Sequence, residues 1–176
     1  MKKLSAALAM FMIPAAAFAQ SAAETTGINS TLGIPPKTGD FVKEASMSDI
    51  FEIESSKLAL QNGNAATKAF ARQMIDDHQK TTSELKALLD SGKVQAKAAT
   101  GMSDAQKASF DKLKDLSGKD FDEVYQDDQE DAHEDAVDLF KRYASEGDNP
   151  DLKAWAAKTV PALEHHLKMA EDLEGK

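Results

Sequence analysis

Residues 51–78, FEIESSKLALQNGNAATKAFARQMIDDH, decide the fold because two long helical patterns meet there at a very short turn. Apolar residues recur at spacings of three and four on both sides of the turn, which predicts helices over residues 40–62 and 65–91. Gly63 suits the position after a helix, and Asn64 suits the capping position before the next one. A turn this short makes the two helices antiparallel neighbours.

Helical spacing continues towards the carboxyl end of the chain. Residues 103–106 read Ser-Asp-Ala-Gln, a capping-box pattern that predicts a short helix ending near residue 117. Two further long helices are predicted over residues 120–146 and 150–173, the second of which starts with a proline. The sequence therefore predicts an all-α protein, an antiparallel four-helix bundle with one extra short helix, over residues 40–174.

A different pattern occupies the first 39 residues. Two lysines precede an apolar run, and residues 17–19 (Ala-Phe-Ala) match the small-x-small pattern of a signal-peptidase site. We therefore expect a signal peptide over residues 1–19, cleaved after Ala19, and a periplasmic location for the mature chain. Residues 20–39, rich in Ser, Thr, Ala, Gly and Pro, are expected to form a flexible tether. No transmembrane span is expected in the mature chain.

Composition narrows the classes of function. The chain has 176 residues, a formal net charge of −9 and no cysteine, which excludes thiolate metal sites and argues against a nucleic-acid partner. No glycine-rich phosphate loop and no nucleophile pattern occurs, so we expect a binding role rather than catalysis. The acidic surface suits a basic protein or an envelope protein as partner, and we expect the chain to be a monomer.

Three of the four histidines lie on the apolar faces of three different helices. His78, His133 and His166 have apolar residues three, four or seven positions away, so their imidazoles should point into the core. His165 is expected on the flank of its helix. Counting from the turn near residue 148 puts His133 and His166 at similar levels, whereas the sequence does not set the level of His78. Because imidazoles from different helices bind metals in bundle cores, the three are candidate metal ligands.

Two glutamates are candidate oxygen ligands. Glu54 lies among apolar residues of its helix face and is expected to point inward, whereas Glu52 is expected in solvent. Glu130 precedes His133 by three residues, which is the Glu-x-x-His spacing of carboxylate-bridged di-iron bundles. A second such motif is missing, so a di-iron oxidoreductase is the weaker alternative. The candidate metal ligands are therefore His78, His133, His166, Glu54 and Glu130.

Several interpretations of the three histidines stay open. Imidazole ligands suit a divalent transition metal, and Met47, Met74 and Met169 would also suit copper. The histidines could instead form a satisfied polar network, or a core that loosens when they are protonated at about pH 6. The leading hypothesis is an exported metal-binding or stress-related protein. The alternative is an interaction module of the cell envelope in which the histidines are purely structural.

Four stretches of the chain resemble a known bacterial family. They are residues 51–60 (FEIESSKLAL), 68–78 (KAFARQMIDDH), 132–140 (AHEDAVDLF) and 152–170, which contains LEHHLKMA. Over about residues 40–174 the chain is similar to the exported family called domain of unknown function 4142. The resemblance implies a ferritin-like helical bundle in the cell envelope, with no settled activity. It also implies one histidine in each of three helices, at positions matching His78, His133 and His166.

Overall fold

The computed structural model describes residues 28–173, which form helices joined by turns and loops and contain no β-strand. The prediction of an all-α bundle with an extra short helix is confirmed. The predicted signal peptide, residues 1–19, and the first part of the predicted tether lie outside the described residues. Within residues 28–173, none of the helices combines the length and the hydropathy that a membrane span requires.

The described residues contain six helices, of which four are long. The long helices begin and end within two residues of their predicted bounds. In chain order the helices are α1 (Ile28–Thr31), α2 (Thr38–Asn62), α3 (Ala65–Asp90), α4 (Asp104–Lys114), α5 (Gly118–Glu146) and α6 (Pro150–Glu171).

The turn between α2 and α3 is fixed by a cap and by a close contact. The Asn64 side chain accepts hydrogen bonds from the backbone N–H groups of Ala66 and Thr67, as the sequence predicted. Gly63 is needed for space rather than for unusual backbone angles, since its φ is −78°. A Cβ at Gly63 would stand 2.6 Å from the Thr67 side chain and 2.9 Å from the Ala59 carbonyl oxygen. A larger residue would therefore force the two helices apart at the turn.

The four long helices form a ring in which each packs against two others. α2 packs on α3, α3 on α6, α6 on α5 and α5 on α2, while the short α4 lies across α2 and α5. The buried apolar side chains form two clusters, one around Phe41 and Trp155 and the other around Phe70 and Tyr125. Along each long helix, buried polar residues lie between the members of the two clusters. The larger members of this polar layer are Asp49, Glu52, His78, Gln129, His133 and His166.

The inward face of α2 differs from the prediction. Ile50 and Leu58, two of its large apolar residues, are only partly buried. The buried seam instead alternates spacings of three and four, as in helices that keep one face against their neighbours. The seam residues are Val42, Ala45, Asp49, Glu52, Ser56 and Ala59. α2 therefore places two carboxylates in the middle of the core.

The described part of the predicted tether lies against the bundle. Pro36 is fully buried. The Ser30 hydroxyl donates to Asp138 Oδ2 at 2.8 Å, and Arg142 Nη1 donates to the Ile34 carbonyl oxygen at 2.6 Å. The flexibility expected of this segment stays a prediction. The contacts described here come from α5, more than a hundred positions along the chain, so local composition does not reveal them.

We expect Phe41→Ala to cost about 3–5 kcal/mol of unfolding free energy. The Phe41 ring is fully buried, stacks on Tyr143 at 4.1 Å between centroids and meets Phe140 edge-on at 4.9 Å. Its removal leaves a cavity that the rigid neighbouring rings do not fill. Urea unfolding followed by circular dichroism measures the loss. Phe110→Ala, at a partly exposed ring of α4, is the control and should cost less than half as much; equal losses would contradict this packing.

Candidate metal centre

Three imidazoles from three helices meet in the polar layer. His78 of α3, His133 of α5 and His166 of α6 have ring centroids 5.4–5.6 Å apart. One nitrogen of each ring lies within 4.8 Å of the corresponding nitrogens of the other two. All three side chains are buried, so the prediction that they point inward is confirmed. His165 is exposed, as expected for the flank of α6.

Each imidazole is oriented by a hydrogen bond on its outer side. The acceptor is always an oxygen: a carboxylate for two of the rings and a backbone carbonyl for the third. The pairs are His78 Nδ1 with Asp49 Oδ1 at 2.8 Å, His166 Nε2 with Asp77 Oδ2 at 2.9 Å, and His133 Nδ1 with the Gln129 carbonyl oxygen at 2.7 Å. Because these oxygens accept, the outer nitrogens carry the hydrogen of each neutral ring. The inner nitrogens are therefore left with lone pairs.

The carboxylates behind the histidines are themselves held in place. Asp49 accepts hydrogen bonds from the hydroxyls of Thr81 and Thr82 at 2.9–3.0 Å. Asp77 accepts a hydrogen bond from Gln73 Nε2 at 2.6 Å. Outer-shell partners of this kind fix the orientation and the tautomer of metal-binding histidines. The bundle thus supplies both the imidazoles and the support that aims them.

Among the residues that the structure describes, the three inner nitrogens have no hydrogen-bond partner. They are Nε2 of His78, Nε2 of His133 and Nδ1 of His166, and each is buried from solvent. Burying a polar atom without a partner costs about 1–3 kcal/mol, and the great majority of buried polar atoms avoid that cost. Three lone pairs that face one another also repel. This arrangement calls for a positively charged species at its centre, either a proton or a metal ion.

The surroundings shift the pKa values of the three rings in different directions. Burial and the nearby charge of His78 lower the pKa of His133 to about 3. Burial, again with the charge of His78, also lowers the pKa of His166, despite its bond to Asp77. Burial opposes charging of His78, but the hydrogen bond to Asp49 and the charge of Glu52 outweigh it and raise its pKa. The group therefore accommodates one proton, on His78, and keeps the other two rings neutral.

The two glutamates of α2 are placed opposite to the prediction. Glu54 was expected inward, but its side chain is 43% exposed and pairs with Lys57 at 2.6 Å. Glu52 was expected in solvent, but it is 1% exposed. The error arose because the buried seam of α2 consists of small and polar residues, so apolar neighbours did not mark the inner face. Glu130 is only partly buried and lies, like Glu54, outside the group of three histidines.

Glu52 is a second unusual feature of the layer. Neither of its oxygens has a hydrogen-bond partner in good geometry. Its pKa is raised to about 7, mainly by burial and also by the charges of Asp49 and Asp128, while His78 and the nearby Gln129 amide oppose the shift. At neutral pH this carboxyl is therefore close to its midpoint between the neutral and the charged form.

The geometry of the three nitrogens suits one metal ion. An ion equidistant from three atoms 4.8 Å apart lies about 2.8 Å from each, so small shifts of the rings would reach the metal–nitrogen distances of about 2.0–2.1 Å seen for zinc. Within residues 28–173 no carboxylate oxygen joins the group, and di-iron centres require bridging carboxylates. Of the methionines considered for copper, Met74 and Met169 belong to the apolar cluster around Phe70, and Met47 lines a surface cleft.

The residues behind the histidines were missed at the sequence level, although the sequence carried a signal for one of them. Asp49 lies 14 residues before Gly63 and His78 lies 15 residues after it. In an antiparallel pair joined at that turn, the two residues stand at nearly the same level. Asp77 could not be found in this way because no short turn connects α3 to α6. The sequence therefore does not set which of their residues stand at the same level.

We expect Glu52→Gln to stabilise the metal-free protein at about pH 8.5 by roughly 3 kcal/mol and to change little at about pH 5. The pKa of Glu52 in the folded chain is about 7, above its ordinary value of 4.5. The folded state therefore holds the proton more tightly than the unfolded chain, so stability falls as the pH rises from about 4.5 to about 7 and stays at the lower level above 7. Glutamine keeps the shape without the charge.

Guanidinium unfolding at the two pH values measures this difference. Glu54→Gln, at the exposed side chain on the same helix, serves as the control and should show no pH-dependent change. Equal behaviour of the two variants would contradict the buried, unpartnered state of Glu52.

Comparison with known proteins agrees with the resemblance seen in the sequence. A family model described as Domain of unknown function (DUF4142) matches residues 9–173, a span that contains all three buried histidines. No curated protein and no solved structure matches the chain. The match covers well over half of the sequence. The chain therefore belongs to the DUF4142 family.

Proposed function

We propose that this chain is an exported protein that binds one transition-metal ion through His78, His133 and His166. The observation that carries the proposal is the set of three inner nitrogens, which are buried, unpartnered and within 4.8 Å of one another. Their lone pairs converge because the outer nitrogens are committed to oxygen acceptors. A purely structural role for the histidines explains the outer hydrogen bonds but leaves the inner nitrogens without partners.

The donor set favours a divalent ion. Neutral imidazole suits zinc, copper, nickel, cobalt and iron, whereas magnesium and calcium prefer oxygen ligands. Two positive charges buried in a bundle need compensation. Asp49 is hydrogen-bonded to His78 and Asp77 to His166, so two negative charges lie directly behind the ligands of the ion. A monovalent copper ion would be overcompensated by the same pair.

The proposed location rests on residues 1–19, whose pattern is that of a signal peptide. A site made of histidines alone suits an oxidising compartment because it contains no thiol that could be oxidised. The three side chains are at most 3% exposed, which leaves no room for a large substrate at the ion. Binding, storage or delivery of the metal is therefore favoured over catalysis.

The metal-free protein should bind one equivalent of Zn²⁺ or Co²⁺, and the H78A/H133A/H166A variant should bind none with high affinity. Binding to the folded state alone raises the melting temperature, because the ion stabilises that state by mass action. Calorimetry, elemental analysis and thermal unfolding measure the three effects. His165→Ala is the matched control, since it removes the exposed neighbour of His166 and should bind like the unmodified chain.

The triple variant must stay folded for this comparison to count. Circular dichroism tests that, and His166→Ala alone is a milder variant should the triple one unfold. A folded variant that binds as tightly as His165→Ala would overturn the proposal, as would an unmodified chain that ignores all of these metals.

Asp77→Asn should weaken metal binding by about 10–100-fold, as is common when an outer-shell partner of a metal-binding histidine is changed. Asparagine can still accept the hydrogen bond from His166 but removes the charge, which makes the imidazole a weaker donor to the metal. Competition with a chromophoric chelator measures the affinity. Asp76→Asn changes the exposed neighbouring residue and should leave the affinity unchanged. If both variants bind alike, the charge of Asp77 does not support the site.

A further inference from the structure

Unpartnered atoms extend beyond the three histidines. Seven buried side-chain nitrogen and oxygen atoms in the described residues lack a hydrogen-bond partner. All of them are lone-pair acceptors when the rings are neutral, and all belong to one connected region. They are both carboxylate oxygens of Glu52, Nε2 of His78, Oδ2 of Asp128, Oε1 of Gln129, Nε2 of His133 and Nδ1 of His166.

Glu52 lies near His78 and near Asp128, since the charges of both act on its carboxyl. Gln129 lies alongside, because its carbonyl oxygen accepts from His133 at 2.7 Å and its side chain reaches Ser55, three residues beyond Glu52, at 3.4 Å. Asp128 directly precedes Gln129 on α5. Unpartnered acceptors therefore extend from the histidines through Glu52 and Gln129 to Asp128.

Asp128 lies at the wall of a surface cleft of about 850 Å³ between α2, α4 and α5. The cleft is strongly acidic, with two basic residues, Lys43 and Arg142, against six acidic ones. The acidic lining residues are Glu44, Asp104, Asp128, Asp131, Asp135 and Asp138. Four of the six follow one face of α5 at spacings of three and four, so they point to the same side.

The cleft raises the local concentration of cations. Burial, together with the charges of Asp131 and Asp127, raises the pKa of Asp128, which indicates that these carboxylates repel one another. A cation in the cleft relieves that repulsion, and a cleft lined by one sign of charge speeds the arrival of the opposite charge. Two other carboxylates reach the histidines from nearer the surface, but Asp77 is hydrogen-bonded to His166 and Gln73, and Asp49 to His78, Thr81 and Thr82. The acceptors on the Glu52 side, in contrast, are unpartnered among the described residues.

We propose that this cleft is the route by which a divalent cation reaches the three histidines, and that Glu52 passes the ion from Asp128 to His78. The proposal rests on the metal-binding function proposed above and adds the path and the residue that serves it. Along this path each lost water of hydration is replaced by a carboxylate or amide oxygen before the imidazoles bind. Glu54, on the outer side of the same helix, has no part in it.

The first test measures how fast Co²⁺ or Zn²⁺ loads into the metal-free protein in a stopped-flow instrument. The D131N/D135N variant removes two charges that line the cleft and should load roughly three- to tenfold more slowly at low salt, with less dependence on salt. The D120N/E146Q variant is the matched control: it removes two charges from the same helix at exposed residues outside the cleft. It should load like the unmodified chain.

The second test addresses the relay residue. Glu52→Gln should slow both the loading of Co²⁺ and its release to a chelator at least fivefold, because a residue on the path affects both directions. Glu54→Gln should change neither rate. Faster release with unchanged loading would make Glu52 a ligand of the bound ion and overturn its role as a relay.

The two proposals fail in different ways. If the unmodified chain binds neither ion, the proposed metal site itself is wrong. If the unmodified chain binds but D131N/D135N loads as fast as D120N/E146Q, the metal site stands and the cleft is not its route. If Glu52→Gln and Glu54→Gln load Co²⁺ equally fast, the cleft stands as the route but Glu52 is not a relay.

Discussion

The constraint on which the structure depends is the meeting of three imidazole lone pairs in the middle of a helical core. Each ring is held from behind by an oxygen acceptor, so none of the three can turn its N–H inward without losing a buried hydrogen bond. α3, α5 and α6 must therefore keep a common level at His78, His133 and His166. The carboxylates that hold two of the rings tie α2 and α3 into the same layer.

This layer divides the core and makes its stability depend on charge. On either side of it, aromatic and aliphatic side chains pack as in an ordinary bundle. Within it, buried acceptors outnumber donors, which is costly in an apolar interior. A cation at the inner nitrogens removes much of that cost, so occupancy of the site and folding are coupled. A bundle whose polar layer served only to fix helix register would be expected to satisfy both nitrogens of every ring.

Periodicity and turn chemistry were sufficient to predict the four long helices and the short α4, their order, and the inward direction of His78, His133 and His166. They failed at Glu52 and Glu54 because the inner seam of α2 is not its most apolar face: Ile50 is half-buried, while Glu52 is covered completely. Asp49 was within reach of a level count from Gly63. Asp77, in contrast, acts across α3 and α6, which no short turn connects. The packing of residues 30–37 depends on α5 and left no trace in their own composition.

Glu52 distinguishes the α2 side of the layer from the rest. Asp49 and Asp77 are each bonded to an imidazole, whereas Glu52 has no hydrogen-bond partner among the described residues. Glu52 also belongs to the helix that meets α5 beside the acidic cleft. A histidine in place of Glu52 would offer an ion another nitrogen ligand but no anionic group on that side. A buried carboxylate at this position therefore links the proposed metal site to the cleft proposed as its route.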